Sequence, residues 1–150
     1  MRVFNGIDEL TAAVGEELGT SDWLAVDQER INTFADATGD HQWIHVDAEQ
    51  AAAGPFGAPI AHGFLTLSLL SAFQPQIFRV DGVAMVINYG LNKVRFPAPV
   101  RVGSRIRART RLAAVKPLDG GAQAELTTTI EIENADKPAC VAESVTRYVA

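Results

Sequence analysis

The segment Gly63-Phe-Leu-Thr-Leu-Ser-Leu-Leu-Ser-Ala-Phe73 decides the fold, because it is apolar around the whole circumference of a helix. A surface helix would carry a broad polar face, whereas only Thr66, Ser68 and Ser71 interrupt this run. We therefore expect a buried helix at the centre of the protein. Pro75 is expected to end or kink this helix, since proline removes a backbone hydrogen bond and clashes with the preceding turn.

Strands after this helix are predicted by apolar and polar residues that alternate with a period of two. The clearest are Ser104 to Ala114 and Ala124 to Glu133, joined by a hairpin turn at Asp119-Gly120-Gly121. Two more strands are predicted at Val83 to Phe96 and Ala139 to Val149. The apolar face of such a sheet needs a cover, which the helix provides. We predict an α+β fold in which a curved antiparallel sheet wraps around one central helix.

The first half of the chain is predicted to contain mainly helix and loop. Asp27 is suited to cap a helix that runs to Thr38, and Gly39 supplies the C-terminal stop. Between Gly39 and Gly63, several prolines and glycines predict irregular structure, with one short helical turn at Ala48 to Ala53.

The composition is that of one globular domain spanning residues 1–150, with 47% hydrophobic and 21% charged residues. The net charge of −5 argues against general binding to nucleic acid or to an anionic membrane. No segment is apolar over a length that spans a bilayer, and the amino terminus does not read as a signal peptide. The single cysteine, Cys140, favours a reducing cytoplasm and is expected to be a small core residue.

Titratable residues are concentrated in and beside the irregular region, which holds all three histidines. The residues concerned are His41, His45, His62, Asp36, Asp40 and Asp47. Polar loop residues are ordinarily solvated, but several such side chains in one crossing indicate a candidate site.

Asp40 follows the carboxyl end of a predicted helix, where the helix dipole disfavours an anion. Two interpretations are open. The carboxylate either caps the next turn through nearby N–H groups, or it is held in unfavourable surroundings and is therefore a better base. In a turn, Asp40 and His45 can converge on one water molecule, which suits acid/base catalysis.

Gly63 begins the predicted buried helix, and the first N–H groups of a helix have no partner within it. A carbonyl oxygen that becomes negative during a reaction could be held there, although glycine is also expected where a helix simply packs closely.

His41 and His45 have a spacing that could hold a metal ion with Asp40, Asp47 or His62. Without a helical pattern in this segment, we predict no metal site.

Three segments carry a resemblance to a known family: Thr38-Gly-Asp-His-Gln-Trp-Ile-His45, Ile60-Ala-His-Gly-Phe64 and Asn92-Lys-Val-Arg-Phe-Pro-Ala-Pro-Val-Arg-Val-Gly103. They resemble the MaoC-like dehydratases, the (R)-specific enoyl-CoA hydratases of the hot-dog fold. The resemblance covers nearly the whole chain and is most specific at the G-D-x-x-x-x-H core. It implies reversible hydration of trans-2-enoyl-CoA to (R)-3-hydroxyacyl-CoA. The acyl-CoA thioester is then the substrate, no cofactor is needed, and a homodimer with joined sheets is expected.

The resemblance also implies roles for individual residues. Asp40 would be the general base that activates water, and His45 would orient this water and deliver a proton to C2. The Gly63 N–H would polarise the thioester carbonyl. Residues expected to contact the substrate are Gln42, Trp43, Phe56, His62, Phe64, Lys93 and Arg95.

Three alternative functions stay open at this stage. The acyl group could be carried on acyl carrier protein, as in the 3-hydroxyacyl-ACP dehydratases of fatty acid synthesis. The protein could instead be a hot-dog acyl-CoA thioesterase, or a non-catalytic acyl-binding subunit. The last is suggested only by Gln42 and Trp43, which replace the Asn and Pro usual in the family, and the presence of Asp40 and His45 argues against it.

Overall fold

The computed structural model describes residues 1–150 as six helices and eight strands. In chain order these are β1 (Arg2–Asn5), α1 (Ile7–Ala12), β2 (Glu17–Thr20), β3 (Leu24–Ala25), α2 (Gln28–Thr38), α3 (Trp43–Val46), α4 (Ala48–Ala52), α5 (Gly63–Ser68), α6 (Leu70–Ile77), β4 (Phe78–Asp81), β5 (Met85–Arg95), β6 (Arg105–Leu118), β7 (Gly121–Ile132) and β8 (Cys140–Val149). None of the helices has the length and apolar character that crossing a lipid bilayer requires.

One antiparallel sheet dominates the fold, with strand order β2-β6-β7-β8-β5 and β3 paired alongside β6. The four long strands β5 to β8 confirm the predictions from alternation, and the β6–β7 turn lies at Asp119 and Gly120 as expected. Ile106, Ala108 and Leu112 of β6 are fully buried against the helices. The opposite face of the sheet carries cross-strand ion pairs such as Arg107 to Glu131, at 2.9 Å. The α+β prediction is confirmed.

The central helix differs from the prediction in two respects. It breaks at Leu69 into α5 and α6, and α6 continues past Pro75 to Ile77. The break follows Ser68, whose hydroxyl donates a 2.6 Å hydrogen bond to the Phe64 carbonyl one turn back, and such bonding often bends helices. The expectation of burial on all sides is also wrong, because the sheet covers only one face of the helix and leaves Phe64 71% exposed.

The amino-terminal part contains more structure than predicted. Strand β1 pairs in parallel with β4, and β2 and β3 add to the β6 edge of the main sheet. These strands are only two to four residues long, too short for a period-two pattern to show.

The helix that precedes the candidate site is confirmed together with both of its predicted ends. The Asp27 side chain accepts a 2.8 Å hydrogen bond from the Arg30 N–H and caps α2. The following turn at Ala48–Ala52 is confirmed as α4, whereas α3 was not expected. Cys140 is a buried core residue, as predicted, and burial raises the pKa of its thiol to about 11.

Candidate active site

Asp40 lies in the turn between α2 and α3, immediately after Gly39. Gly39 adopts a left-handed conformation with φ of 82°, which ends α2 and redirects the chain. The Asp40 side chain is exposed, and its Oδ1 accepts a 3.3 Å hydrogen bond from the Gln42 N–H. The capping interpretation is therefore right for one oxygen. The other oxygen, Oδ2, makes no hydrogen bond to the protein and can accept one from a water molecule.

His45 projects from α3 into buried surroundings and is 6% exposed. Its Nδ1 lies 2.7 Å from the Ile60 carbonyl oxygen, which can only accept a hydrogen bond. In the neutral ring Nδ1 therefore carries the proton, and Nε2 presents a lone pair. Burial lowers the pKa of His45 below its ordinary value and His62 lowers it further, whereas the Ile60 carbonyl and Asp40 act in the opposite direction. His45 is consequently a neutral hydrogen-bond acceptor near pH 7.

His62 completes a cluster with these two residues, in which both histidines are buried and Asp40 is exposed. His62 is 3% exposed, and its ring stacks on that of His45 with centroids 3.9 Å apart and planes inclined by 24°. One donor atom from each of Asp40, His45 and His62 lies within 4.8 Å of the other two. The structure thus brings together three of the residues that the sequence singled out.

A cavity of about 400 Å³ adjoins this cluster, with His45 and Gly63 in its wall. The remaining wall is mostly apolar and consists of Ile44, Phe56, Ile60, Ala61, Thr66, Phe96, Ala98, Pro99, Val100 and Ala139. A carboxylate and an imidazole beside an apolar cavity are suited to proton transfer on a substrate with a hydrocarbon part.

Gly63 is the first residue of α5, and its N–H makes no hydrogen bond within the protein. A Cβ atom added to this residue would lie 3.3 Å from three atoms of the Phe96 ring, so the close-packing interpretation is right as well. The two interpretations are compatible, because an unpaired N–H in a cavity wall is a donor for an acyl carbonyl oxygen.

The residues predicted to contact substrate are distributed unevenly around this cavity. Phe56 lines it, whereas six others lie outside its wall: Gln42, Trp43, His62, Phe64, Lys93 and Arg95. Trp43 packs on Gly54, where an added Cβ would approach the indole ring to 2.9 Å. Lys93 and Arg95 are exposed on β5, next to Phe96 at the cavity.

The other titratable residues of the irregular region have structural roles. His41 Nε2 lies 2.9 Å from a carboxylate oxygen of Asp36 on the protein surface, and this hydrogen bond raises the pKa of His41. Asp47 caps α4 by accepting a 2.9 Å hydrogen bond from the Gln50 N–H. The candidate site is therefore smaller than the run of titratable residues in the sequence.

The cluster of Asp40, His45 and His62 has the residue types of a metal site, but its geometry favours a shared water molecule. His45 Nδ1 and His62 Nε2 are already engaged with backbone carbonyls. Because the two rings are stacked with planes inclined by 24°, the lone pairs of their remaining nitrogens lie in nearly parallel planes, whereas the ligands of one metal ion converge on it from different directions. The absence of a metal cofactor stays a prediction.

Three groups that contribute to the site were not predicted from the sequence. The Ile60 carbonyl, which sets the tautomer of His45, is a backbone group and leaves no residue-type signal. Thr66 and Phe96 line the cavity. Thr66 could have been found, because it stands one helical turn after Gly63 and therefore on the same face of α5.

Comparison with known proteins places the chain in a family. A family model of the MaoC like domain matches residues 9–135. The chain is 62% identical over 151 residues to the 3-hydroxyacyl-thioester dehydratase Z of Mycobacterium tuberculosis, with 100% of each protein covered. It is 48% identical over 143 residues to nodulation protein N of Rhizobium leguminosarum, covering 92% of this chain and 88% of that protein.

A solved structure agrees with these relatives. The (R)-hydratase from A. caviae involved in PHA biosynthesis superposes with a TM-score of 0.73 at 28% identity, covering 89% of this chain and 94% of that one. The hot-dog fold expected from the sequence resemblance is thereby confirmed. The chain belongs to the MaoC-like dehydratase family and is a lyase of the hydratase/dehydratase class.

Proposed function

We propose that the protein catalyses the reversible, (R)-specific hydration of trans-2-enoyl-CoA to (R)-3-hydroxyacyl-CoA. The observation that carries this proposal is the convergence of the Asp40 carboxylate and the neutral His45 ring beside a cavity whose wall contains the unpaired Gly63 N–H. Addition of water to an enoyl thioester needs a base, a means of orienting water and a donor for the thioester oxygen. These three requirements match the three groups.

A water molecule between Asp40 and His45 is the proposed nucleophile. Its two O–H groups would be donated to the free Asp40 Oδ2 and to the lone pair on His45 Nε2, which leaves an oxygen lone pair directed at the substrate. The Ile60 carbonyl keeps Nε2 unprotonated by holding the ring proton on Nδ1. The proton that reaches C2 must therefore be the one that the water has lost.

The proposed reaction adds water across the C2–C3 double bond of the enoyl thioester. Asp40 removes a proton from water as the water oxygen bonds to C3, and the C2–C3 π electrons move toward the thioester carbonyl. The Gly63 N–H stabilises the negative oxygen of the resulting enolate. Asp40 then returns its proton to the new C3 hydroxyl group as that group passes its own proton to Nε2 of His45, and His45 delivers this proton to C2 as the carbonyl re-forms. Dehydration follows the same steps in reverse.

Turnover of purified protein on trans-2-enoyl-CoA of several chain lengths tests the proposal. Ultraviolet absorbance of the conjugated thioester is expected to fall, and chiral analysis of the product is expected to give the (R) enantiomer. A water held on one side of the cavity can attack only one face of C3, so a racemic product would contradict the mechanism. An enoyl absorbance that stays constant at every chain length would contradict the function.

The acyl group is carried on either CoA or acyl carrier protein. Comparing turnover of the CoA thioester and the acyl-carrier-protein thioester of one chain length decides between the two carriers. Membership in a dehydratase family favours the lyase reaction over the thioesterase and non-catalytic alternatives. A thiol-reactive dye checks this directly, because hydration releases no free thiol and thioester hydrolysis does.

The CoA phosphates are expected to contact Lys93 and Arg95. Neither side chain forms an ion pair with the protein, unlike Arg105, which lies 3.1 Å from a Glu133 carboxylate oxygen. The double variant Lys93→Ala/Arg95→Ala should raise KM for enoyl-CoA at unchanged kcat, because phosphate contacts bind ground and transition states alike. KM for the matching pantetheine thioester, which lacks the nucleotide, should not change.

Arg105→Ala is the matched control for that variant, since it removes an exposed arginine whose charge is already paired. An equal rise in KM for both thioesters, or a rise with Arg105→Ala as large as with the double variant, would locate the phosphates elsewhere.

A homodimer that joins through β5 is also part of the proposal. β5 is the edge of the sheet, is 11 residues long and exposes apolar side chains, including Met85 (54%), Val86 (56%) and Leu91 (48%). A long apolar edge strand is prone to pair with another strand. Light scattering is expected to give twice the chain mass of 16.1 kDa.

Ile87→Lys should shift that mass toward the monomer, because it places a charge among the exposed apolar side chains of β5 that a second copy would cover. Val14→Lys adds the same charge at an exposed apolar residue away from β5 and should leave the mass unchanged. A wild-type protein that is monomeric at micromolar concentration would refute the dimer.

A further inference from the structure

We infer that His62 is a positioning residue, which fixes the Asp40 backbone and the His45 ring relative to each other and does not itself contact the substrate. This inference rests on the proposed function and deepens it. It also replaces the expectation that His62 binds substrate, because the residue is only 3% exposed and is absent from the cavity wall.

The first observation is the hydrogen bond between His62 and the turn that carries the proposed base. His62 Nε2 lies 3.0 Å from the backbone carbonyl oxygen of Asp40. Because that oxygen only accepts, Nε2 must be the protonated nitrogen of the neutral ring. The bond ties the exposed Asp40 turn to the segment that enters α5, so the base cannot move away from the cavity without breaking it.

The second observation is the packing of the two imidazole rings. The face-to-face arrangement of His62 and His45, with centroids 3.9 Å apart, leaves His45 little freedom to tilt. The hydrogen bond from His45 Nδ1 to the Ile60 carbonyl restricts the remaining freedom of the His45 ring, which is rotation within its own plane. Phe34 of α2 packs against His62 at 4.9 Å between centroids and holds the stack in place.

The third observation is the cost of having histidine at this place. With its proton on Nε2, His62 has a buried Nδ1 that finds no hydrogen-bond partner. A buried polar atom without a partner opposes folding, and an apolar ring would fill the same space without that cost. The position of Nε2 at the Asp40 carbonyl is what histidine provides and phenylalanine would not.

Sequence adjacency extends this role to the third proposed group. His62 directly precedes Gly63, whose N–H is the proposed donor to the thioester oxygen. One residue thus connects the turn of the base, the ring of His45 and the start of α5. The titratable groups that face His62 are Asp40 from the turn and His45 from α3, while α2 contributes the Phe34 ring.

Two variants separate the contributions of the hydrogen bond and the ring. His62→Gln keeps an N–H donor close to the position of Nε2 but removes the ring, whereas His62→Phe keeps a ring and removes the donor. We expect both to lower kcat with little change in KM, with a loss of about tenfold or more for His62→Phe, the factor that corresponds to one hydrogen bond. His41→Gln is the matched control, because His41 is paired with Asp36 on the surface.

The pH dependence supplies a readout that a merely structural role would not move. Because His62 lowers the pKa of its stacked neighbour His45, both uncharged replacements should shift the acid limb of kcat toward higher pH. A raised KM at unchanged kcat would instead assign His62 to substrate binding. Wild-type values of kcat and of the acid limb in both variants would also overturn the inference.

Nuclear magnetic resonance of the wild-type rings tests the geometry without reference to turnover. The protein has only three histidines, so single substitutions assign each ring in two-bond ¹H–¹⁵N spectra. We expect His62 as the Nε2–H tautomer and His45 as the Nδ1–H tautomer near pH 7. The reverse tautomer at His62 would refute its bond to Asp40 even if the enzyme turns over, whereas an inactive wild type with the expected tautomers would refute only the proposed function.

Discussion

Asp40→Asn is expected to lower kcat for hydration by about 10²–10⁴-fold, the range that a positioned general base contributes. Asparagine has nearly the same shape and can still accept the hydrogen bond from the Gln42 N–H, but its amide cannot take a proton from water. KM should change little, because the carboxylate acts on the water and not on the acyl chain. Stopped assays of enoyl-CoA hydration and of 3-hydroxyacyl-CoA dehydration should show the same loss.

The same substitution should stabilise the folded protein slightly. Asp40 follows the carboxyl end of α2, where an anion opposes the helix dipole, and removing the charge should raise the free energy of unfolding by about 0.3–1 kcal/mol. Denaturant titration measures this gain. A variant that is less active and more stable indicates a residue kept for chemistry at the expense of folding.

Asp47→Asn is the control for both measurements. Asp47 lies in the same irregular region and caps α4, and asparagine is an equally good cap. Its replacement should leave activity and stability unchanged. If Asp40→Asn retained the parent rate while the parent enzyme was active, the base would have to be another group.

Local signals in the sequence were sufficient for the elements whose ends and faces are set by neighbouring residues. The capping side chain of Asp27 and the left-handed Gly39 define α2 in the structure as they did in the sequence. Alternation defined β6 and β7 because each strand is longer than ten residues and has one buried face. Short strands such as β3 depend on contacts with distant residues, which no local pattern contains.

The prediction that the central helix is buried on all sides is wrong because the rest of the chain leaves some of its apolar side chains exposed. The sequence of the central helix shows that it is apolar all round, but it does not show whether its own chain covers every face. In the structure Phe64 of α5 is 71% exposed. Such residues read as core in the sequence because apolar surface that docks on another chain has the same composition as a core.

The candidate site was predictable where residue type carries the chemistry and not where geometry does. Asp40 and His45 could be selected because a carboxylate and an imidazole transfer protons. The surface pairing of His41 with Asp36 and the burial of His62 depend on how the loop folds back on α2. The Ile60 carbonyl, which determines the tautomer of His45, could belong to any residue type.

His45→Asn is expected to reduce kcat by about 10²–10⁴-fold and to remove the acid limb from the pH profile of kcat. The asparagine amide nitrogen stands close to the position of Nδ1 and can still donate to the Ile60 carbonyl, so the variant loses mainly the Nε2 acceptor. A wild-type acid limb is expected where protonation removes that acceptor. Because burial lowers the pKa of His45, this limb should lie below the ordinary value of about 6.5. The residual activity of His45→Asn should lack the limb.

Stability should respond to the same group with a defined sign. The unfolded chain binds a proton at His45 more readily than the folded protein, so the contribution of His45 to folding is complete above the ordinary pKa and is lost as pH falls through the lowered one. His41 has a raised pKa and acts in the opposite direction, so the comparison belongs in a His41→Gln background. There, the free energy of unfolding should fall with decreasing pH more steeply with His45 than with His45→Asn. Equal slopes would show that His45 is not the buried neutral acceptor that the mechanism requires.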